Sequence, residues 1–177
     1  MAGKIVINSE DIPIKDPLAE NLVAQCSISE PKIYGTGEIK IIAVDCGMKY
    51  NIIRQLTSLP NTTIKVVPWN YDFTQEHYDG LFLSNGPGDP ALGRPLCSVL
   101  NVISYLVVTE TIEHVKKAIE IGKPIFGICL GNQLLGLAAG AKTVKLKYGN
   151  RGQNQPVLDL TSNQGVTSGF ILSLFED

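Results

Sequence analysis

The chain holds 177 residues, enough for one ordinary domain with a real core and too few for two full ones. Its 15 Lys and Arg stand against 17 Asp and Glu, a net charge of -2, so no cationic excess serves phosphates and nucleic-acid binding is excluded as the main role. Apolar residues at 44% and charged residues at 18% mark a folded chain rather than a disordered or collagen-like one.

The first forty residues set Pro13, Pro17, Pro31, Gly35 and Gly37 around short apolar pieces such as Leu22-Val23-Ala24, which reads as a connector with one or two short strands and no core of its own. From Lys40 the pattern sharpens. Ile41-Ile42-Ala43-Val44 is an apolar run ending in Asp45-Cys46-Gly47, the mark of a buried strand feeding a loop. Asn51 is placed to cap a short helix carrying Ile52, Ile53 and Leu56 and stopped by Pro60. Thr63 to Val67 makes a second strand, closed by Pro68, and Leu81 to Ser84 a third. The third runs at once into Asn85-Gly86-Pro87-Gly88-Asp89-Pro90, which no regular structure accommodates and which must be a tight loop at a strand end.

Thr109 to Ile121 reads as a helix, with a capping box from Thr109 or Thr111 to Glu113 and apolar Ile112, Val115, Ala118 and Ile119 at helical spacing. Gly122 ends it, Pro124 to Ile128 is a fourth strand, and Leu130 to Ala139 a further helix closed by Gly140. Strands alternating with helices predict an α/β fold, an open and mostly parallel sheet with helices on both faces. In such sheets chemistry gathers at the carboxyl ends of strands, here the loops after Val44, Ser84 and Ile128.

Cys26, Cys46, Cys97 and Cys129 form no C-x-x-C pair and only two histidines accompany them, so neither a metal site nor a disulfide framework is expected. No cofactor is expected either. The N-terminus lacks an apolar signal region, which points to a reducing, cytoplasmic setting. The longest apolar run, Leu96 to Val108, contains Ser and Asn and falls short of the roughly 20 residues that cross a bilayer, so no membrane span is expected.

The sharpest local signal is Gly127-Ile128-Cys129-Leu130-Gly131 between a buried strand and a helix, the cysteine counterpart of the G-x-S-x-G nucleophile elbow. A strand that turns directly into a helix holds its central residue in a strained conformation, and side chains two positions away on either side would collide. The thiol then lies on the bend at a helix N-terminus, where free N–H groups favour an anion. The Leu130 N–H is placed to donate to an oxyanion, with a second donor from the Gly86-Pro87-Gly88 loop. The competing reading is a buried structural cysteine, which the strand-turn-helix context disfavours.

Leu83 to Pro90 followed by Pro124 to Gln133 resembles a class I glutamine amidotransferase domain, whose fold is flavodoxin-like. Val44-Asp45-Cys46-Gly47-Met48-Lys49, Val67-Pro68-Trp69-Asn70, Gly140 to Thr143 and Asn150 to Val157 are similar to the small subunit of carbamoyl-phosphate synthetase, a likeness covering roughly Leu18 to Gln164. The resemblance implies that Cys129 attacks the side-chain amide of glutamine, that Gly86 and Leu130 N–H groups hold the oxyanion, and that Gly88 and Gln133 position the substrate. It implies a large synthetase subunit or domain as partner, and the mitochondrial matrix as an alternative location.

The sequence also departs from that family. The family's triad histidine and glutamate lie in a His-Pro-Glu motif downstream of the cysteine, whereas no histidine follows His114 in these 177 residues. The domain is therefore expected to be incomplete at the C-terminus. Residues 1–39 are expected as a linker remnant after an absent domain, 40–164 as a partial amidotransferase domain interrupted by a non-family insertion at 93–108, and 165–177 as a non-family tail. His77 and His114 are expected as ordinary surface residues, Cys46 as a loop thiol, Trp69 as packing, and Lys142, Lys145, Lys147 and Arg151 as a solvated face or part of a synthetase contact. Two other readings stay open: a catalytically silent fragment that only docks on the synthetase, and a flavodoxin-like binding module with an incidental elbow.

Overall fold

Apolar side chains alternating along Ile39–Asp45 put Ile42 and Val44 on one face of a strand and Ala43 on the other, each within 2% of full burial, so this segment must be covered on both sides. The computed structural model describes Pro13 and residues 20–90, 102–144, 155–159, 164–168 and 175–176, with the backbone alone at 102–108 and in the last three segments. In chain order, a one-turn helix α1 (Leu22–Cys26) precedes β1 (Lys32–Gly35) and β2 (Ile39–Asp45). Then come α2 (Tyr50–Thr57), β3 (Thr62–Pro68), β4 (Gly80–Leu83), α3 (Val102–Glu120), β5 (Ile125–Gly127) and α4 (Leu130–Ala138). Short pairings follow: β6 (Lys142–Thr143) with β9 (Phe175–Glu176), and β7 (Gln155–Asp159) with β8 (Gln164–Ser168), both antiparallel.

The main sheet has the order β1-β3-β2-β4-β5. Strands β2, β3, β4 and β5 run parallel, and β1 is antiparallel on the β3 edge. Helices cover both faces, as the alternation predicts. Ile52, Ile53 and Leu56 of α2 pack with Ala43, Ile64, Val66 and Phe82, while Val115 and Ala118 of α3 and Leu130 and Leu134 of α4 pack with Ile42, Val44, Leu81 and Leu83. The chain leaves β2 towards β3 and one face, and leaves β4 towards β5 and the other. Adjacent strands β2 and β4 thus form a topological switch point, where loops diverge and open a crevice.

Several boundaries differ from the sequence expectation. Asn51 lies inside α2, whose N-cap is Lys49 without a side-chain bond. The helix expected from Thr109 begins at Val102, so the capping box does not form. Thr111 is buried and its hydroxyl donates to the Trp69 carbonyl (2.9 Å), which spends the group on tertiary contact rather than on a helix end. The connector expected with one or two short strands does hold one, β1, which joins the sheet, and its Val23 and Ile28 pack against the two core clusters. Residues 93–101, Cys97, Lys145, Lys147 and Arg151 lie outside the described residues.

Two glycines close helices as the sequence requires. Gly122 (φ +70) ends α3. After α4, Gly140 (φ +93) donates to Leu137 and Ala141 to Gly136, the paired bonds of a Schellman motif.

Candidate active site

The bend between β5 and α4 carries Cys129 at φ 53 and ψ -110, as the N-cap of α4. Among the described residues only Asn61 shares a positive φ without being glycine, and Asn tolerates that region far better than Cys. Such a conformation costs about 1–3 kcal/mol and persists only where the surroundings enforce it. Two glycines do so. A Cβ on Gly127 would lie 2.6 Å from the Asn132 nitrogen and from the Gly131 carbonyl, and one on Gly131 would lie 2.2 Å from the Leu83 carbonyl oxygen. The first glycine lets the bend close on itself, and the second lets α4 start directly against β4. Cys129 is left half-buried.

Hydrogen bonds pin this bend to the neighbouring strand. Ile128 N–H donates to Leu83 (3.0 Å), Gly131 N–H to Ser84 (3.1 Å) and to Ile128 (2.9 Å), and Gln133 N–H to Cys129 (3.1 Å). Gln133 therefore sits one turn along α4 from the thiol, on the same side of the helix.

The glycine loop after β4 meets the bend. A Cβ on Gly86 would fall 2.1 Å from the Cys46 carbonyl oxygen and 2.8 Å from Leu130 Cδ2, so only glycine fits between the loop after β2 and the first residue of α4. Among the described residues no acceptor takes up the Gly86 or Leu130 N–H. Gly88, at φ +97, is exposed, with no other group among the described residues within 4 Å of its Cβ position. The structure thus brings together Cys129, Leu130, Gly86 and Gln133 around one junction, and places Gly88 two residues further along the same loop.

The loop after β2 is the third wall. Asp45 is buried at 4% exposure; its carboxylate accepts the N–H groups of Ile28 (2.9 Å), Gly47 (2.8 Å) and Met48 (2.6 Å). Asn85 Nδ2 donates to the Gly47 carbonyl (3.1 Å), and Gly47, at φ +121, packs against Pro87. Cys46 lies in the loop after β2, as expected from sequence, but is buried there: it is 1% exposed within the core, and burial first, then the Asp45 charge, pushes it up to about 12.

The histidines divide. His77 is exposed as expected. His114 is not an ordinary surface residue, because the Phe73 ring packs edge-on against it (5.7 Å between centroids) and the Asp72 carboxylate lies 3.8 Å away. Neither stands at the carboxyl end of β2, β4 or β5. Sequence reasoning missed Asp45 and Ser84; the buried Asp-x-Gly turn was a readable sign of the first, since Asp side chains bond their own backbone two residues on. No helix among the described residues is long and apolar enough to cross a membrane. No group of three or more metal-ligating side chains occurs among them.

A parallel α/β sheet with a strained cysteine at a strand-to-helix bend, faced by free backbone amides, defines a protein of the cysteine-elbow class. The chain matches the family of class-I glutamine amidotransferases over residues 42–172 and belongs to it. It is 51% identical over 164 residues to the multifunctional protein CAD of Squalus acanthias, covering 89% of this chain and 7% of that protein. It is 44% identical over 167 residues to the mitochondrial carbamoyl-phosphate synthase [ammonia] of Mus musculus, covering 93% of this chain and 10% of that one. It is also 44% identical over 167 residues to the multifunctional protein pyr-3 of Neurospora crassa, covering 88% and 7%. The chain spans a tenth or less of the length of these relatives.

Proposed function

We propose that this chain is the glutaminase part of a carbamoyl-phosphate synthetase. The observation that carries the reading is Cys129 at φ 53 between Gly127 and Gly131, with the Gly86 loop packed against the same bend. In this reading the Cys129 thiolate adds to the side-chain carbonyl carbon of glutamine, and the carbonyl electron pair moves to oxygen. Gly86 and Leu130 N–H groups hold that oxyanion, each worth about 10²–10³ in rate. Collapse of the adduct breaks the C–N bond and releases ammonia, leaving a thioester that water hydrolyses to glutamate. Gly88 and Gln133 position the substrate. The ammonia passes to a synthetase subunit or domain, and the relatives named as carbamoyl-phosphate synthase support that destination. The pathway served is that of pyrimidines or of arginine and urea, in the cytoplasm or the mitochondrial matrix.

The same sequence favours a second reading. The two histidines, His77 and His114, both lie away from the carboxyl ends of β2, β4 and β5, so neither is placed to act as a base for Cys129. Loss of one triad member costs about 10⁴–10⁶ in turnover. In that reading these residues release only trace ammonia unless a base is supplied from elsewhere, and they dock on the synthetase. One experiment separates the two. A glutamine analogue with a diazoketone in place of the amide is mixed with the chain, and the adduct is mapped by peptide mass. The glutaminase reading expects modification at Cys129, suppressed by excess glutamine and absent in Cys129→Ser. An unmodified Cys129 in a chain that still captures the synthetase supports docking alone.

A further inference from the structure

Ser84 closes β4 with zero exposure, and every polar atom it carries is engaged across a different boundary. Its N–H donates to the Val44 carbonyl (3.1 Å), which fixes it to β2. Its carbonyl accepts the Gly131 N–H (3.1 Å), which fixes it to the cysteine bend. Its hydroxyl accepts the Cys46 N–H (2.9 Å) and donates to the Asn85 carbonyl (2.8 Å). That last bond bears on chemistry. The Asn85 carbonyl and the Gly86 N–H belong to one planar peptide unit, and in a trans unit the two groups point in opposite directions. A hydroxyl that draws the carbonyl inward turns the Gly86 N–H away from the core. The same bond polarises the amide and strengthens its N–H as a donor.

We propose that Ser84 is the positioning residue of the oxyanion site: its hydroxyl sets the direction of the Gly86 N–H, and its carbonyl sets the spacing between that N–H and the Cys129 bend. The inference rests on the glutaminase reading of Cys129. Asn85 Nδ2, bonded to Gly47, holds the far side of the same peptide and leaves the Ser84 hydroxyl as the group that orients it.

The probe is an aldehyde analogue of glutamine, with ¹³C-labelled CHO in place of the side-chain amide. The Cys129 sulfur bonds to the aldehyde carbon, the C=O electron pair moves to oxygen, and the thiol proton ends on that oxygen or in solvent, so no other reactant is needed. The full chain and Ser84→Ala are compared by ¹³C signal of the adduct carbon, alongside the rate of Cys129 alkylation by iodoacetamide, which builds no oxyanion. The expected result is about tenfold weaker aldehyde capture in Ser84→Ala, a partial share of the 10²–10³ for deleting a donor, with the iodoacetamide rate unchanged. Equal capture by both chains overturns the proposal and leaves the glutaminase reading standing. No capture by the unaltered chain sinks both. A second measurement needs no variant: the Gly86 amide proton should move downfield when the unaltered chain takes up the aldehyde, and a stationary Gly86 signal beside a formed adduct overturns the proposal even where Ser84→Ala fails to fold.

Discussion

Cys46 and Cys129 stand at the carboxyl ends of parallel strands in one sheet, yet their surroundings are opposite. Cys46 follows β2 at a bend without a positive φ, lies in the core at 1% exposure, and is pushed up to about 12 by burial and by the Asp45 charge. Cys129 follows β5 at φ 53, heads a helix, and is half-buried. Topology alone does not make a nucleophile. The difference comes from the backbone: flanking glycines let the chain double back at Cys129, whereas a single glycine after Cys46 serves an Asp45-capped turn that points the thiol into packing.

The sharpest way to break this contrast is Gly131→Ala. The new Cβ would meet the Leu83 carbonyl oxygen at 2.2 Å, and β4 is a buried strand that cannot yield. A loss of about 3 kcal/mol or more is expected, read as a fall in the urea midpoint or as failure to fold. A variant of native stability would show that the bend is not held as described. Next comes Asp45→Asn, which removes the charge and one of two acceptor oxygens from a group serving three backbone N–H donors. About 2 kcal/mol should be lost, together with faster alkylation of Cys46 as its loop loosens. Unchanged protection of Cys46 would show that its burial does not depend on the turn.

The smallest effect belongs to a control on the flank of β3, three places along the sheet from β5. Lys65 Nζ bonds both Glu76 carboxylate oxygens (2.6 and 2.7 Å) and the Tyr71 hydroxyl (3.0 Å), while Tyr71 also donates to Glu76. Burial alone would raise Glu76, but the bonds from Lys65 and Tyr71 outweigh it and hold the carboxyl below its usual range. Burial alone would lower Lys65, and the same partners hold it above its usual range. The Glu76 contribution is therefore present above the ordinary glutamate value and lost as pH falls through the depressed one. That of Lys65 is complete below 10.5 and lost as pH rises through the raised value. Glu76→Gln should cost about 1 kcal/mol at pH 7 and less at pH 3, without changing the reactivity of either cysteine. An altered cysteine pattern would mean that the two ends of the sheet are coupled.

The sheet, its parallel sense and the bend at Cys129 were legible because each rests on a local rule: apolar runs of strand length, glycines where a turn forbids Cβ, and a Gly after each of α3 and α4. The start of α3 was not, since Thr109 and Thr111 before Glu113 suggest a helix start although neither stands at the three-residue spacing of a capping box, and only the Trp69 carbonyl, distant in sequence, shows where the Thr111 hydroxyl goes. Ser84 was silent for the same reason, and the Asp-x-Gly turn at Asp45 announced its bond to Gly47 but not the one from Ile28. A buried hydroxyl declares its role through partners brought together by the switch between β2 and β4, and no spacing along the chain encodes them.

The most direct measurement is the ratio of iodoacetamide alkylation rates at Cys129 and Cys46 in the folded chain at pH 8, read by peptide mass with isotope-coded reagent. With Cys46 at about 12, on the order of one in 10⁴ of its thiols is ionised at that pH. The account predicts that Cys129 reacts at least about a hundredfold faster, and that the advantage vanishes in urea. Equal rates in the folded chain, or a faster Cys46, would contradict it.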